Sequence, residues 1–277
     1  FCLSRGLGDV YKRQVELGLV FAFVAMGVYL AFRILDFPDL TVDGSFPLGA
    51  AVAAVLILAG WNPWAATGVA MLAGACAGLV TAALNVQFRI LNLLASILTM
   101  IALFSVNLRI MGRPNIALIN QDTMLTPFYG HGLPDYYVRP LFVFVLVVIV
   151  LIALWRFLES DIGLAMRATG ANPRMARAQG VKTNRLIYLG MAISNALVAL
   201  GGSLFAQTNG FADVTSGVGT IVVGLAAVIV GETLFRSRLL AIALIGCVAG
   251  SILYRIAIQT ALSTDALGLK ACLLYTS

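Results

Sequence analysis

The chain has 277 residues, of which 61% are hydrophobic and only 11% charged, whereas a soluble domain is about a quarter charged. Such a composition excludes an ordinary soluble fold and implies one all-α, polytopic membrane domain. The net charge of +6 sits on Lys and Arg at the ends of apolar blocks, as topology signals do, so nucleic acid is not an expected partner.

The two ends stand apart from the rest. Residues 1–14 (FCLSRGLGDVYKRQ) and 271–277 (ACLLYTS) resemble translated read-through of sequencing adapters, and neither has the apolar core and cleavage site of a signal peptide. The expected single transmembrane domain is therefore 15–270, with the natural chain continuing past Lys270 into one or more further helices. Cys2, Cys76, Cys247 and Cys272 have no metal-ligand spacing, so no metal site and no disulfide is predicted.

A bilayer core of about 30 Å needs roughly 20 mainly apolar residues per helix, and uncharged runs can be read as spans in chain order. Val15 to Leu35 is the first, followed by the acidic stretch DFPDLTVDG from Asp36 to Gly44. The uncharged run from Gly44 to Phe88 is too long for one span. Trp61-Asn62-Pro63-Trp64 divides it, because proline ends a helix and tryptophan favours the membrane interface. This predicts helices at 45–60 and 64–87, then Asn92 to Met111 as the fourth. A polar Gly/Pro-containing connection, Gly112 to Arg139, leads to the fifth at Tyr136 to Phe157. Leu186 to Ala212, the short Gly217 to Gly231 and Leu239 to Tyr254 complete about eight spans.

Between the fifth and sixth spans lies a polar segment, 158–185, flanked by Trp155 and rich in Arg and Lys. The positive-inside rule puts it in the cytoplasm, and alternation then places Arg89 and the Arg236/Arg238 loop on that side too. The long connection carrying His131, read as a solvated loop residue, is outside.

One internal similarity stands out. Phe37-Pro38-Asp39-Leu40-Thr41 is echoed by Phe211-Ala212-Asp213-Val214-Thr215, and each precedes a short Gly- and Ala-rich helix. The two copies cross the membrane in opposite directions, the pattern of an inverted repeat whose broken helices meet near the midplane around a translocation path. Asp39, Thr41, Asp213 and Thr215 are thus candidates for a polar constriction. The other reading of these residues is helix capping or loop solvation.

Catalytic motifs are absent from the sequence: no GxxxxGK[ST] phosphate loop, no HExxH and no GxSxG occurs. No cofactor is expected, and ATP hydrolysis would have to reside on another subunit. Gly74-x-x-x-Gly78 and Gly246-x-x-x-Gly250 read as close helix packing.

Within the basic segment, Ser160-Asp161 starts a short helix, Ile162 to Thr169. A glycine turn at Gly170 then leads to a second helix, Pro173 to Gln179, ended by Gly180. On charge alone this is equally an interfacial element holding anionic membrane lipid. The run Gly163-Leu164-Ala165-Met166-Arg167-Ala168-Thr169-Gly170-Ala171-Asn172-Pro173, with Met175 to Ala178 and Gly180-Val181, resembles the cytoplasmic coupling loop of ABC-importer permeases of the branched-chain amino acid and ribose type. Asp39 to Gly44, Ser194 to Leu197 and Gly224 to Glu232 extend the resemblance over Val15 to Gly268, in wording closest to permeases for tryptophan and tyrosine.

The resemblance implies an inner-membrane permease of a bacterium, working with cytoplasmic ABC ATPase subunits, an extracytoplasmic solute-binding protein and a second permease copy. Carried over by position, Arg167, Gly170, Asn172, Pro173, Ala176, Arg177 and Gly180 would form the ATPase contact. The expected activity is uptake of a small solute, an amino acid of aromatic type. A stand-alone secondary transporter or channel, and an intramembrane enzyme, are the alternatives.

Overall fold

Uncharged runs become helices because backbone polar groups in a bilayer must be satisfied within the segment. In the computed structural model, which describes residues 2–118, 121–124, 126, 135–235 and 239–263, the order is α1 (Cys2–Val28), a π-helical turn (Tyr29–Ile34), α2 (Val42–Leu58), α3 (Pro63–Val86) and α4 (Asn92–Met111). There follow β1 (Asn115–Ala117), α5 (Asp135–Glu159), α6 (Asp161–Ala171), α7 (Pro173–Ala178), α8 (Thr183–Asn209) and β2 (Phe211–Asp213). A 3-10 turn (Val214–Gly217), α9 (Thr220–Leu234) and α10 (Leu240–Ser263) complete the chain. His131, Arg236, Arg238 and the 271–277 end lie outside the described residues.

Among the described residues, seven stretches are long and apolar enough to cross a membrane. The eighth expected span is α2, which has only 17 residues; α9 has 15 and reaches span length only with the 3-10 turn before it. Both short helices follow the repeated Asp-x-Thr segments.

Helix α8 is the centre of the bundle. Small residues let two neighbours approach it closely: Gly202 of α8 faces the Phe46 carbonyl of α2, while Gly74 and Gly78 of α3 face Asn195 and Met191. A methyl group at any of these glycines would overlap the opposing backbone. Gly250 of α10 meets Ala227 of α9, and Gly246 lies against Gly231, so both GxxxG pairs pack helices as expected. The first helix α1 fills the space between α8, α9 and α10 and is almost wholly buried from Leu19 to Leu30. Helices α3, α4 and α5 leave most of their apolar surface uncovered.

The outer ends of the two halves are joined by a two-stranded ribbon in which Asn115 pairs with Asp213 and Ala117 with Phe211. At the cytoplasmic end, Arg33 and Glu232 form an ion pair of 2.8 Å, with Arg33 64% exposed. Because exposed pairs contribute little, Arg33→Ala is expected to change unfolding stability in detergent by less than about 1 kcal/mol. A larger loss would mean that the pair contributes more than an exposed contact does.

Candidate functional site

Two polar assemblies stand out from the apolar bundle. The first forms where the π-helical turn ends. Leu35 donates to the Leu30 carbonyl and Phe37 to the Ala31 carbonyl, widening the last turn of the first span. Asp36, with φ 52°, then reverses the chain. Asp39 and Thr41 thereby re-enter the protein, and both are fully buried.

The Asp39 carboxylate accepts from the Thr41 amide at 2.9 Å and from the Asn195 side-chain amide at 2.8 Å. Asn195 in turn accepts from the Ser45 hydroxyl at 2.6 Å. The Thr41 hydroxyl lies 2.9 Å from that of Thr81. Four segments are therefore tied at one buried polar node: the re-entrant loop, α2, α3 and α8. Hydrogen bonds and the positive N-terminus of α2 oppose the desolvation of the Asp39 carboxyl. Asn195 lies near the middle of the 27 residues of α8, which at about 1.5 Å per residue sets this node deep in the membrane layer.

The repeat has a structural counterpart. Asp213 accepts from the Thr215 amide at 2.7 Å, as Asp39 does from Thr41, so both Asp-x-Thr copies fold into the same Asx turn. Beyond it the copies meet. The Asp43 carboxylate receives the amides of Ile221 at 2.7 Å and Gly219 at 3.2 Å, capping α9 from α2. Gly217 lies against the Asp43 carbonyl and Pro47. The spacing that carries Asp39 to Asp213 also carries Asp43 to Gly217 and Pro47 to Ile221. Contacts Asp43 to Ile221 and Pro47 to Gly217 are thus exchanged by the repeat, the signature of a two-fold axis passing between them.

Of the four expected constriction residues, Asp39 and Thr41 are buried together, whereas Asp213 is partly exposed and Thr215 exposed, beside the outer ribbon. The structure does not gather all four at one place. Asp43 and Asn107, which sequence reading passed over, lie nearer the meeting point of the half-helices. Asp43 has the signal that could have found it, an acid inside the first repeat unit. Asn107 has none, being a single polar residue in an apolar helix.

The second assembly is the cytoplasmic segment. Ser160 caps α6, its hydroxyl accepting from the Gly163 amide at 3.4 Å. Helix α6 runs through Gly170 to Ala171, and the break falls at Asn172 rather than at a glycine turn. Pro173 disfavours a helical conformation at the residue before it. Asn172 is accordingly extended (φ −156°), and its side chain caps α7 by accepting from Arg174 and Met175, both at 3.1 Å.

The seven expected coupling residues divide by direction. Gly170 abuts the Ile34 carbonyl of the π-helical turn, Ala176 is buried, and Arg167 donates to the Leu158 carbonyl at 3.2 Å; these three face the bundle. Asn172, Pro173, Arg177 and Gly180 face outward. Leu164 and Met175, 54% and 60% exposed, add apolar surface to that outer face. Sequence reading missed this division because it depends on where α6 rests. Among the described residues there is no group of three metal-ligating side chains.

Comparison with known proteins adds to this geometry. Residues 15–269 match the model of the branched-chain amino acid transport system / permease component family. The chain belongs to this permease family. Within it, the tyrosine transport system permease protein of Clostridioides difficile is 40% identical over 88% of this chain and 80% of its own length. An uncharacterised protein of Rickettsia prowazekii is 35% identical over 83% of this chain and 80% of its own. The Escherichia coli ribose import permease protein is more distant, 26% identical over 76% of this chain and 65% of its own length. No solved structure matches the chain.

As a family member, the chain is a multi-pass permease of the bacterial inner membrane and of the ABC transport class. Its relatives of named activity are transport permeases. The resemblance drawn from the Arg-Ala-Thr-Gly-Ala-Asn-Pro wording thus led to the right family, and the aligned region takes in both polar assemblies.

Proposed function

We propose that the chain is the membrane subunit of an ATP-binding-cassette importer that brings an aromatic amino acid into the cytoplasm. Cytoplasmic ATPase subunits seat on the outward face of α6 and α7, an extracytoplasmic binding protein delivers the solute, and a second permease copy completes the pathway. The observation that carries this reading is the continuity between the two assemblies. Gly170 of α6 presses on the last turn before Asp39, so a push on α6 from the cytoplasm reaches the buried node within a few residues. The aromatic class follows the tyrosine permease relative at 40% identity.

The test is reconstitution in liposomes with the ATPase and the loaded binding protein. Labelled tyrosine should accumulate with ATP and fall to background when the phosphate-loop lysine of the ATPase is replaced. Uptake that persists without the ATPase and follows an ion gradient would overturn the proposal in favour of a secondary transporter.

A further inference from the structure

A cleft of about 350 Å³ lies where α2, α4 and the start of α9 meet, walled by Asp43, Met100, Phe104, Ser105, Asn107 and Val218. Its size falls within the range of small-molecule sites, about 300 to 1,000 Å³. Two features set it apart from an ordinary packing gap.

First, Asn107 is fully buried, yet only half of its amide is used. Nδ2 donates to the Gly44 carbonyl at 3.1 Å, whereas Oδ1 has no hydrogen-bond partner among the described residues. Buried polar atoms are nearly always satisfied, and the exceptions mark a function or an absent partner. The Nδ2 bond to a carbonyl also fixes the amide orientation, because the reverse assignment would set oxygen against oxygen. Second, the Asp43 carboxyl on the same wall accepts two backbone amides and keeps further lone pairs for another donor.

The polar end of the cleft therefore offers acceptors at Asn107 and Asp43, beside the Ser105 hydroxyl. The remaining wall, formed by Met100, Phe104 and Val218, is apolar and includes an aromatic ring. We infer that this cleft binds the free amino acid in transit, its ammonium group at Asn107 Oδ1 and Asp43 and its aromatic side chain against Phe104 and Met100. An ammonium offers three donors to these acceptors and a positive charge beside the Asp43 carboxyl, and ring and thioether contacts suit the apolar wall. A sugar fits poorly, since each hydroxyl laid on that wall would lose its water without a protein partner. The assignment rests on the importer reading above and names the residues at which such an importer would select its cargo.

The experiment uses the permease assembled with its ATPase in lipid nanodiscs, carrying Ser105→Cys with Cys2, Cys76, Cys247 and Cys272 replaced by alanine. Labelling of the new thiol by a methanethiosulfonate reagent is timed with four probes. L-Tyrosine and its methyl ester are expected to slow labelling at least fivefold at millimolar concentration. 3-(4-Hydroxyphenyl)propionate, which lacks the ammonium, and D-ribose should leave the rate unchanged. Adding Asn107→Leu should raise the tyrosine concentration for half-protection at least tenfold.

Equal protection by the ammonium-free analogue, or protection by ribose, overturns the ligand class. Absence of protection by tyrosine in a complex whose parent takes up tyrosine with ATP overturns the cleft alone. Absence of ATP-driven uptake in the parent overturns the importer reading and this assignment with it.

Discussion

Gly170→Leu is expected to abolish co-purification with the ATPase and to reduce ATP-driven uptake by at least tenfold, while the protein still inserts in normal amounts. A Cβ at this position would overlap the Ile34 carbonyl oxygen and come within 3.0 Å of the Leu35 carbonyl carbon. Neither can yield as a flexible side chain would, because both belong to the backbone that closes the π-helical turn. Helix α6 must lift, and with it the outward surface formed by Leu164, Asn172 and Met175.

Arg177→Glu serves as the complementary variant, since Arg177 is exposed and bonds only locally, donating to the Pro173 carbonyl at 3.0 Å. It should weaken association without disturbing α6, which hydrogen exchange across residues 161–171 can report. Gly170→Leu should speed exchange there, and Arg177→Glu should not. Normal co-purification of the ATPase with Gly170→Leu would sink the docking assignment.

The second large effect is expected at the buried node. Asn195→Leu removes the donor that reaches Asp39 at 2.8 Å and the acceptor for Ser45 at 2.6 Å, leaving a carboxyl and a hydroxyl buried with fewer partners. Each buried polar group left unsatisfied costs about 1 to 3 kcal/mol, and a loss of that size should appear as a clear fall in the thermal unfolding midpoint in detergent. Asp39→Asn added to Asn195→Leu should cost less than the sum of the two single changes, because the hydrogen bond they share is lost only once. A double variant as unstable as the sum of the two single changes would mean that the residues do not interact.

The helices were legible because a bilayer imposes length and apolarity directly on sequence, and each expected span overlaps an observed helix, although α1 begins at Cys2 and α10 runs on to Ser263, nine residues past Tyr254. Helix α8 begins at Thr183 rather than Leu186 because polar residues can continue a helix beyond the membrane, a region on which hydropathy is silent. The repeat was visible as Asp-x-Thr in both halves, since an Asx turn needs its carboxylate two residues before the amide it accepts. Its meeting point was hidden, because Asp43 and Gly217 share no residue type and pair only in three dimensions.

Direction was likewise out of reach for the cytoplasmic segment. Arg167 and Arg177 look alike in sequence, and only the seat of α6 on the π-helical turn sends one inward and leaves the other outside. Asn107 carries no pattern at all.

Asp43 and Gly217 also bear on how such a chain can diverge. If two halves arose by copying, a residue beside the axis that relates them confronts its own descendant, and identical choices there are the hardest to keep. Two aspartates would bring like charges together in a water-poor layer, and two larger side chains would claim the same volume. With Asp43 in one half and Gly217 in the other, the acid can turn to the amides of Gly219 and Ile221 while the glycine yields the room. Loss of symmetry at this pair thus eases a steric and electrostatic conflict in joining the copies, whereas the Asx turns were free to stay the same.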